Sequence, residues 1–265
     1  MNAPASITIT PILVADLLVE GERMPVYVHV IDHPDARVLV DTGMTELHPA
    51  AADLDPRLCP LSTQNFDLAG IDIVVNTHLH FDHCGGNHLF AGRPIYVQRR
   101  ELDDARNEDD YTIREWVDAP GVRYEPVDGE LELLPGLRLV PAPGHTRGMQ
   151  VVVVETGGRP VVVGGDVAVW FGELDEPHTE GQLRVRALDP ELVWLAHEHE
   201  PWRPRSTLCS CSDPLSLFER LPTFFEGHEI PLPTLNADDP DASLVSIECD
   251  AASNREIGEL RIAPE

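Results

Sequence analysis

The sequence predicts an α/β fold, α+β in the segregation of its elements, with sheet packed on sheet and helices outside. Three observations carry this: short apolar runs of strand length recur along the chain, few helical stretches separate them, and Gly, Pro and Asp punctuate the joins. Residues 7–14 and 24–31 read as the first strands. Asp35-Ala36-Arg37 forms a turn into Val38-Leu39-Val40, which ends in Asp41-Thr42-Gly43. Residues 44–70 are polar and Pro-bearing, as a loop is. Ile73-Val74-Val75 is a short strand running into Asn76-Thr77-His78, and Ile95-Tyr96-Val97 is another. Residues 99–107 and 111–117 have helical character. Leu137–Val140 is a strand ending at Pro141, and 150–155 with 160–163 form a hairpin across Thr156-Gly157-Gly158-Arg159. Leu192–Ala196 is a last strong strand. From Ser206 the chain turns Pro-rich and acidic, with strand-like pieces at 244–248 and 259–262. The expected division is one domain over 1–205 and an acidic C-terminal extension over 206–265, packed on that domain.

A chain of 265 residues can bury a substantial core without disulfides. Its five cysteines (Cys59, Cys84, Cys209, Cys211, Cys249) are scattered and odd in number, which argues against a disulfide framework. Cys209-Ser210-Cys211 is too close for a zinc knuckle, and Cys84 reads as a small buried filler. No apolar run reaches a membrane span, and the N-terminus lacks a secretory pattern, so the expectation is a soluble cytoplasmic protein. The formal charge is −27, and all 19 cationic residues are arginine. So negative a field opposes nucleic acid and anionic membranes alike. The absence of lysine removes Schiff-base chemistry and a Walker-type phosphate site.

His78-Leu79-His80-Phe81-Asp82-His83 places three imidazoles and a carboxylate directly after an apolar strand. These donors suit borderline divalent metals such as zinc, iron or manganese. In an extended exit from the strand His78 and His80 point the same way and can share one ion. Asp82 and His83 then face elsewhere around the turn, toward a second, and Gly85-Gly86 gives the freedom that a sharp turn at a helix start needs. Further potential ligands lie just past other strands: His145, Asp166 and His197, with His199 a rival to His197.

This ordered pattern resembles the metallo-β-lactamase-fold hydrolases, and within them the N-acyl homoserine lactonases. Thr77–Asn87 carries the likeness most closely, supported by Leu39–Met44, Pro94–Arg99, and Leu134–Leu137 leading to Pro143-Gly144-His145-Thr146. The resemblance covers roughly 7–200. It implies a four-layer αββα sandwich holding two divalent ions per chain, zinc first, with iron, manganese or cobalt as alternatives. His78, His80 and His145 would hold one ion, Asp82, His83 and His197 the other, and Asp166 both. Asp41 would brace the site by hydrogen bonds. A hydroxide shared by the ions would attack the lactone carbonyl, with Asp82 passing the proton to the leaving alkoxide. Phe81, Val169 and Trp170 would line the substrate pocket. The expected partner is a small-molecule lactone or ester, the expected role quorum quenching, and the family allows a homodimer.

The chain departs from the lactonases in two places: Val169 stands where they carry a tyrosine three residues past the bridging Asp, and Met149 where they carry a second histidine. The span from Asp166 to His197 is also shorter than in lactonases, as if a helical segment were missing. Another ester or thioester hydrolase, resembling glyoxalase II, and a catalytically weak metal-binding ligand sensor are the alternative readings.

Overall fold

Runs such as Val151–Val154 and Val161–Val163 have no polar face, so a strand built from them needs cover on both sides. The computed structural model, which describes residues 7–204 and 260–261, shows how that cover is supplied. Strands β1 (Thr8–Val19), β2 (Glu22–His33), β3 (Ala36–Val40), β4 (Arg57–Leu58), β5 (Ile73–Val75), β6 (Pro94–Gln98) and β7 (Arg123–Val127) lie in one sheet. Strands β8 (Leu131–Leu134), β9 (Leu137–Pro141), β10 (Gln150–Val154), β11 (Val161–Gly165) and β12 (Leu192–Leu195) form a second, and β13 (Leu260–Arg261) returns to the first. The first sheet runs β13-β1-β2-β3-β5-β6-β7, with β4 also on β1. It is antiparallel through β1, β2 and β3 and parallel from β3 to β7. The second runs β12-β11-β10-β9-β8, antiparallel except for the β11–β12 pair.

Side chains alternate between layers at a period of two. Val38, Val40, Val152, Val154, Val161, Val163, Leu192 and Trp194 share a core between the sheets. The residues between them point outward. Leu39 joins Val26, Val28 and Val74 under Ala51, Leu61, Phe90 and Trp116. Val151, Val153, Val162 and Val193 pack under Leu174 and Val185. The helices supply this outer cover: α1 (Phe81–Cys84), α2 (Arg99–Asn107) and α3 (Arg114–Val117) on the first sheet's side, α4 (Phe171–Asp175) and α5 (Glu180–Ala187) on the second's. The result is the four-layer sandwich. Burying one such valine on both faces contributes about 1.5–3 kcal/mol over leaving it exposed.

Several elements differ from the sequence reading. Strands β1 and β2 are longer than expected, because they continue as a two-stranded ribbon to the Glu20-Gly21 turn. Residues 44–70 hold three 3₁₀ turns and the short β4. Of 111–117, only Arg114–Val117 is helical. The shorter span between Asp166 and His197 still carries α4 and α5, the latter closed by a capping box of Thr179 and Gln182. Cys209, Cys211 and most of the expected extension, including 244–248, lie outside the described residues. Cys59 and Cys84 are both free, and Cys84 is buried with its thiol donating to the Leu79 carbonyl at 3.4 Å. Among the described residues no helix is long and apolar enough to cross a membrane.

The topology brings chemistry to one edge. Strands β9, β11 and β12 run in one direction, so their C-terminal ends fall together, and β3 and β5 end in parallel in the other sheet. A polar joint ties the sheets there. The Gln150 amide N–H donates to the Thr77 carbonyl at 2.9 Å. The Gln150 side chain donates to the Asn76 carbonyl at 2.8 Å and accepts from Gln98 at 2.9 Å.

Candidate metal centre

Each candidate ligand follows one of those strand ends. His78 and His80 leave β5, and Asp82 and His83 sit in α1 immediately after. His145 follows β9, Asp166 follows β11, and His197 follows β12. Asp166 lies at the centre: its carboxylate is 3.1 Å from His197 Nε2, 3.3 Å from His83 Nε2, 3.4 Å from His145 Nε2 and 3.8 Å from His78 Nε2. Potential donor atoms fall within 4.8 Å of one another in three overlapping groups: His78, His80 and His145; His78, His83 and Asp166; and Asp82, His83 and His197.

The ring orientations are fixed from behind. Asp41 takes a left-handed backbone, φ 60°, which Asp tolerates better than most residues. Its carboxylate accepts from the Thr77 amide and hydroxyl, each at 2.7 Å, and from His83 Nδ1 at 2.9 Å. Because the Thr77 hydroxyl donates to Asp41, its oxygen accepts from His78 Nδ1 at 3.2 Å. His197 Nδ1 donates to the Pro25 carbonyl at 2.7 Å. His78, His83 and His197 therefore all turn Nε2 into the cleft. His199 does not: its Nδ1 pairs with the Tyr27 hydroxyl at 3.0 Å.

Buried polar atoms that have no partner show what the site fits. His78 Nε2, His83 Nε2 and Asp166 Oδ1 are buried without a hydrogen-bond partner. Such atoms are costly unless something binds them. A convergent set of imidazole nitrogens and carboxylate oxygens fits a divalent cation.

The electrostatics divide the histidines. Burial pushes His78 well below the ordinary imidazole range, reinforced by His83. Burial and His145 bring His80 down to about 4. Burial also disfavours the charge on His83 and His197, but carboxylates outweigh it. Asp166, Asp82 and Asp41 hold His83 well above its usual value, and Asp166 with Asp82 raises His197 to about 9. Against its own burial, His197 and His83 hold the Asp166 carboxyl well below the usual range.

The Gly85-Gly86 reading needs correction. The helix precedes these glycines, and neither has a positive φ. A Cβ on Gly86 would fall 2.5 Å from the Thr42 carbonyl oxygen, and one on Gly85 2.9 Å from the Trp116 ring. They are small so that the ligand loop can press against its neighbours. Gly165, just before Asp166, combines φ 52° with a Cβ position 2.5 Å from the Thr77 hydroxyl, so backbone and crowding both select glycine. Phe81 is half-buried and packs against the outer core of the first sheet; Val169 is half-buried, and Trp170 is 60% exposed. The braces supplied by Thr77 and the Pro25 carbonyl escaped the sequence reading. Thr77 adjoins the motif, but a backbone carbonyl leaves no side-chain signal at all.

Two sheets in an αββα sandwich, with a His- and Asp-lined metal centre where their strand ends meet, define the class of protein. The chain belongs to the metallo-β-lactamase superfamily, which residues 21–199 match. An N-acyl homoserine lactonase of Bacillus sp is 31% identical over 196 residues, 66% of this chain and 76% of that relative. The N-acyl homoserine lactonase AiiA of Bacillus thuringiensis subsp. kurstaki is 30% identical over 188 residues, 64% and 73% of the two chains. In structure, an N-acyl homoserine lactone hydrolase with N-hexanoyl-L-homoserine at its catalytic metal center superposes with TM-score 0.58 at 24% identity, covering 74% of this chain and 94% of that one. A B. thuringiensis AiiA variant with N-decanoyl-L-homoserine bound gives TM-score 0.58 at 23% identity, with the same coverage. The superpositions establish the fold; the family places the chain among metal-dependent hydrolases.

Proposed function

We propose that the protein is a dinuclear metallohydrolase that opens lactone rings, with N-acyl homoserine lactones as the leading substrates and quorum quenching as the role. The observation that carries this is the convergence on one cleft of the His78 and His83 Nε2 and Asp166 Oδ1 atoms, none with a hydrogen-bond partner, in a chain whose relatives are lactonases. On this reading His78, His80 and His145 hold one divalent ion, Asp82, His83 and His197 hold the second, and Asp166 serves both. Zinc suits the donors, as do iron, manganese and cobalt. Bound there, divalent ions supply Lewis acidity and lower the pKa of water.

The chain's own residues do the rest. Asp41 fixes the tautomer of His83, and Pro25 that of His197, so that both rings present Nε2 to the cleft. Asp82 Oδ2 stands 3.6 Å from His83 Nε2 and 3.7 Å from His197 Nε2, and its carboxylate would carry the proton to the leaving ring oxygen. Val169 has no hydroxyl to offer a developing oxyanion, so less of that charge is met by the protein here than in a site with a phenol. Phe81, Val169 and exposed Trp170 supply apolar surface for an acyl chain. The absent phenol favours a second reading, in which the same machinery hydrolyses another ester or a thioester.

Ring opening releases acid, so proton release in a pH-stat tests the proposal directly. Metal-loaded protein should release protons from acyl homoserine lactones of short and long chain, far above an Asp166→Ala background. No release above that background would remove the lactone reading and leave the ester or thioester reading to be tried.

A further inference from the structure

Glu101 lies in the first turn of α2, in a run of charged residues (Arg99-Arg100-Glu101-Leu102-Asp103-Asp104) that reads as a solvated helix surface. The structure buries it completely. Oε1 accepts the Leu79 amide N–H at 2.8 Å and the Tyr111 hydroxyl at 2.5 Å. Oε2 accepts the Thr146 hydroxyl at 2.7 Å. Three donors on two oxygens are the partners of an ionised carboxylate, which is acceptor only. Burial pushes its pKa up, and these three donors act against that.

The donors come from informative places. Leu79 stands between His78 and His80, and Thr146 follows His145. The Tyr111 ring packs on His80 with centroids 5.3 Å apart. The Thr146 loop is also seated on α2 itself, since a Cβ on Gly148 would fall 2.1 Å from the Glu101 amide nitrogen. One carboxylate therefore fastens the two loops that carry His78, His80 and His145, while touching none of those rings. Among the described residues no arginine or histidine forms an ion pair with it.

We propose that Glu101 is a positioning residue that sets the geometry of the His78, His80 and His145 group and leaves the Asp82, His83 and His197 group to other braces. This rests on the two-ion reading above. Partners bonded directly to a ligand ring are worth roughly 10–100-fold in metal affinity, and Glu101, which acts through the loops, should be worth roughly the lower end of that range.

Co(II) titration of the metal-free chain, followed by its visible absorption and by competition with a chelator, tests it. For Glu101→Gln the affinity for one ion should fall roughly 10-fold while the other ion binds as in the wild type. Thr146→Val keeps the buried charge and removes one donor, so it should weaken the same ion by less. A merely structural role would instead lower the melting temperature of the metal-free chain and weaken both ions alike, and that result overturns the proposal, as do wild-type affinities in both variants. A wild-type chain that takes up no Co(II) would overturn the two-ion reading itself, a different outcome from a wild-type chain that binds two ions and variants that do the same.

Discussion

The two proposed ligand groups differ in depth and in what braces them. Asp82, His83 and His197 are all buried, and their braces are Asp41 and the Pro25 carbonyl, both in or just after central strands of the first sheet. His78 is buried as well and shares the Thr77–Asp41 brace, but His80 is half-buried and His145 is exposed, and the loops that carry them are fastened by Glu101 on a surface helix. The first group is enclosed by protein. The second opens toward solvent, where a substrate carbonyl can arrive. Asp166, buried between them, lets one fold supply both settings within a few ångströms.

The largest effect should come from removing what the groups share. Asp166→Ala should take metal content from about two ions per chain toward none, measured by elemental analysis of purified protein. Full retention would erase the distinction between a bridge and two separate sites.

Next comes the deep group alone. His197→Ala should lose one ion and most of the activity, whereas His199→Ala, whose ring is turned to Tyr27, should be far milder. The reverse ranking would reassign the last ligand. A smaller, sharper contrast concerns protons. In the metal-free chain His83 and His197 are held above their ordinary values and keep their protons at pH 7, while His78 and His80 are pushed down and are neutral. Metal uptake at pH 7 should therefore release imidazolium protons mainly as the deep group fills, with a further proton where bound water ionises. Calorimetry in buffers of different ionisation enthalpy counts those protons, and proton release spread evenly over both binding steps would contradict the contrast. The smallest effect belongs to Thr77→Val. It removes a buried hydroxyl from the Asp41 carboxylate and should cost about 1–3 kcal/mol in urea denaturation of the metal-free chain. A cost near zero would mean that the Thr77 amide and His83 hold Asp41 without the hydroxyl.

Much of this was readable from the chain, for stated reasons. The valine runs announced strands covered on both faces, and a cluster of imidazoles past an apolar strand has few other uses. The residues that were harder to read belong to elements whose pattern is mixed. Strands β7 (RYEPV) and β8 (LELL) carry charges and a proline within four or five residues. In α5, Val185 is buried while Leu183 is 54% exposed, so no clean apolar stripe marks the helix. Glu101 gave no signal, because burial of one acid among charged neighbours is decided by tertiary packing alone.

The joint made by Gln98, Gln150, Asn76 and Thr77 has a consequence for motion. It fastens the two sheets at the edge that carries the ligands, whereas at the opposite end His33 Nε2 pairs with the Pro135 carbonyl at 3.0 Å and an apolar core lies between. A sandwich bound more heavily along one edge than along the other gives way first at the lightly bound margin. Amide protons of Thr77 and Gln150 should then be among the last to exchange with deuterated solvent, and the cleft should keep its shape through the opening fluctuations that loosen the rest of the molecule.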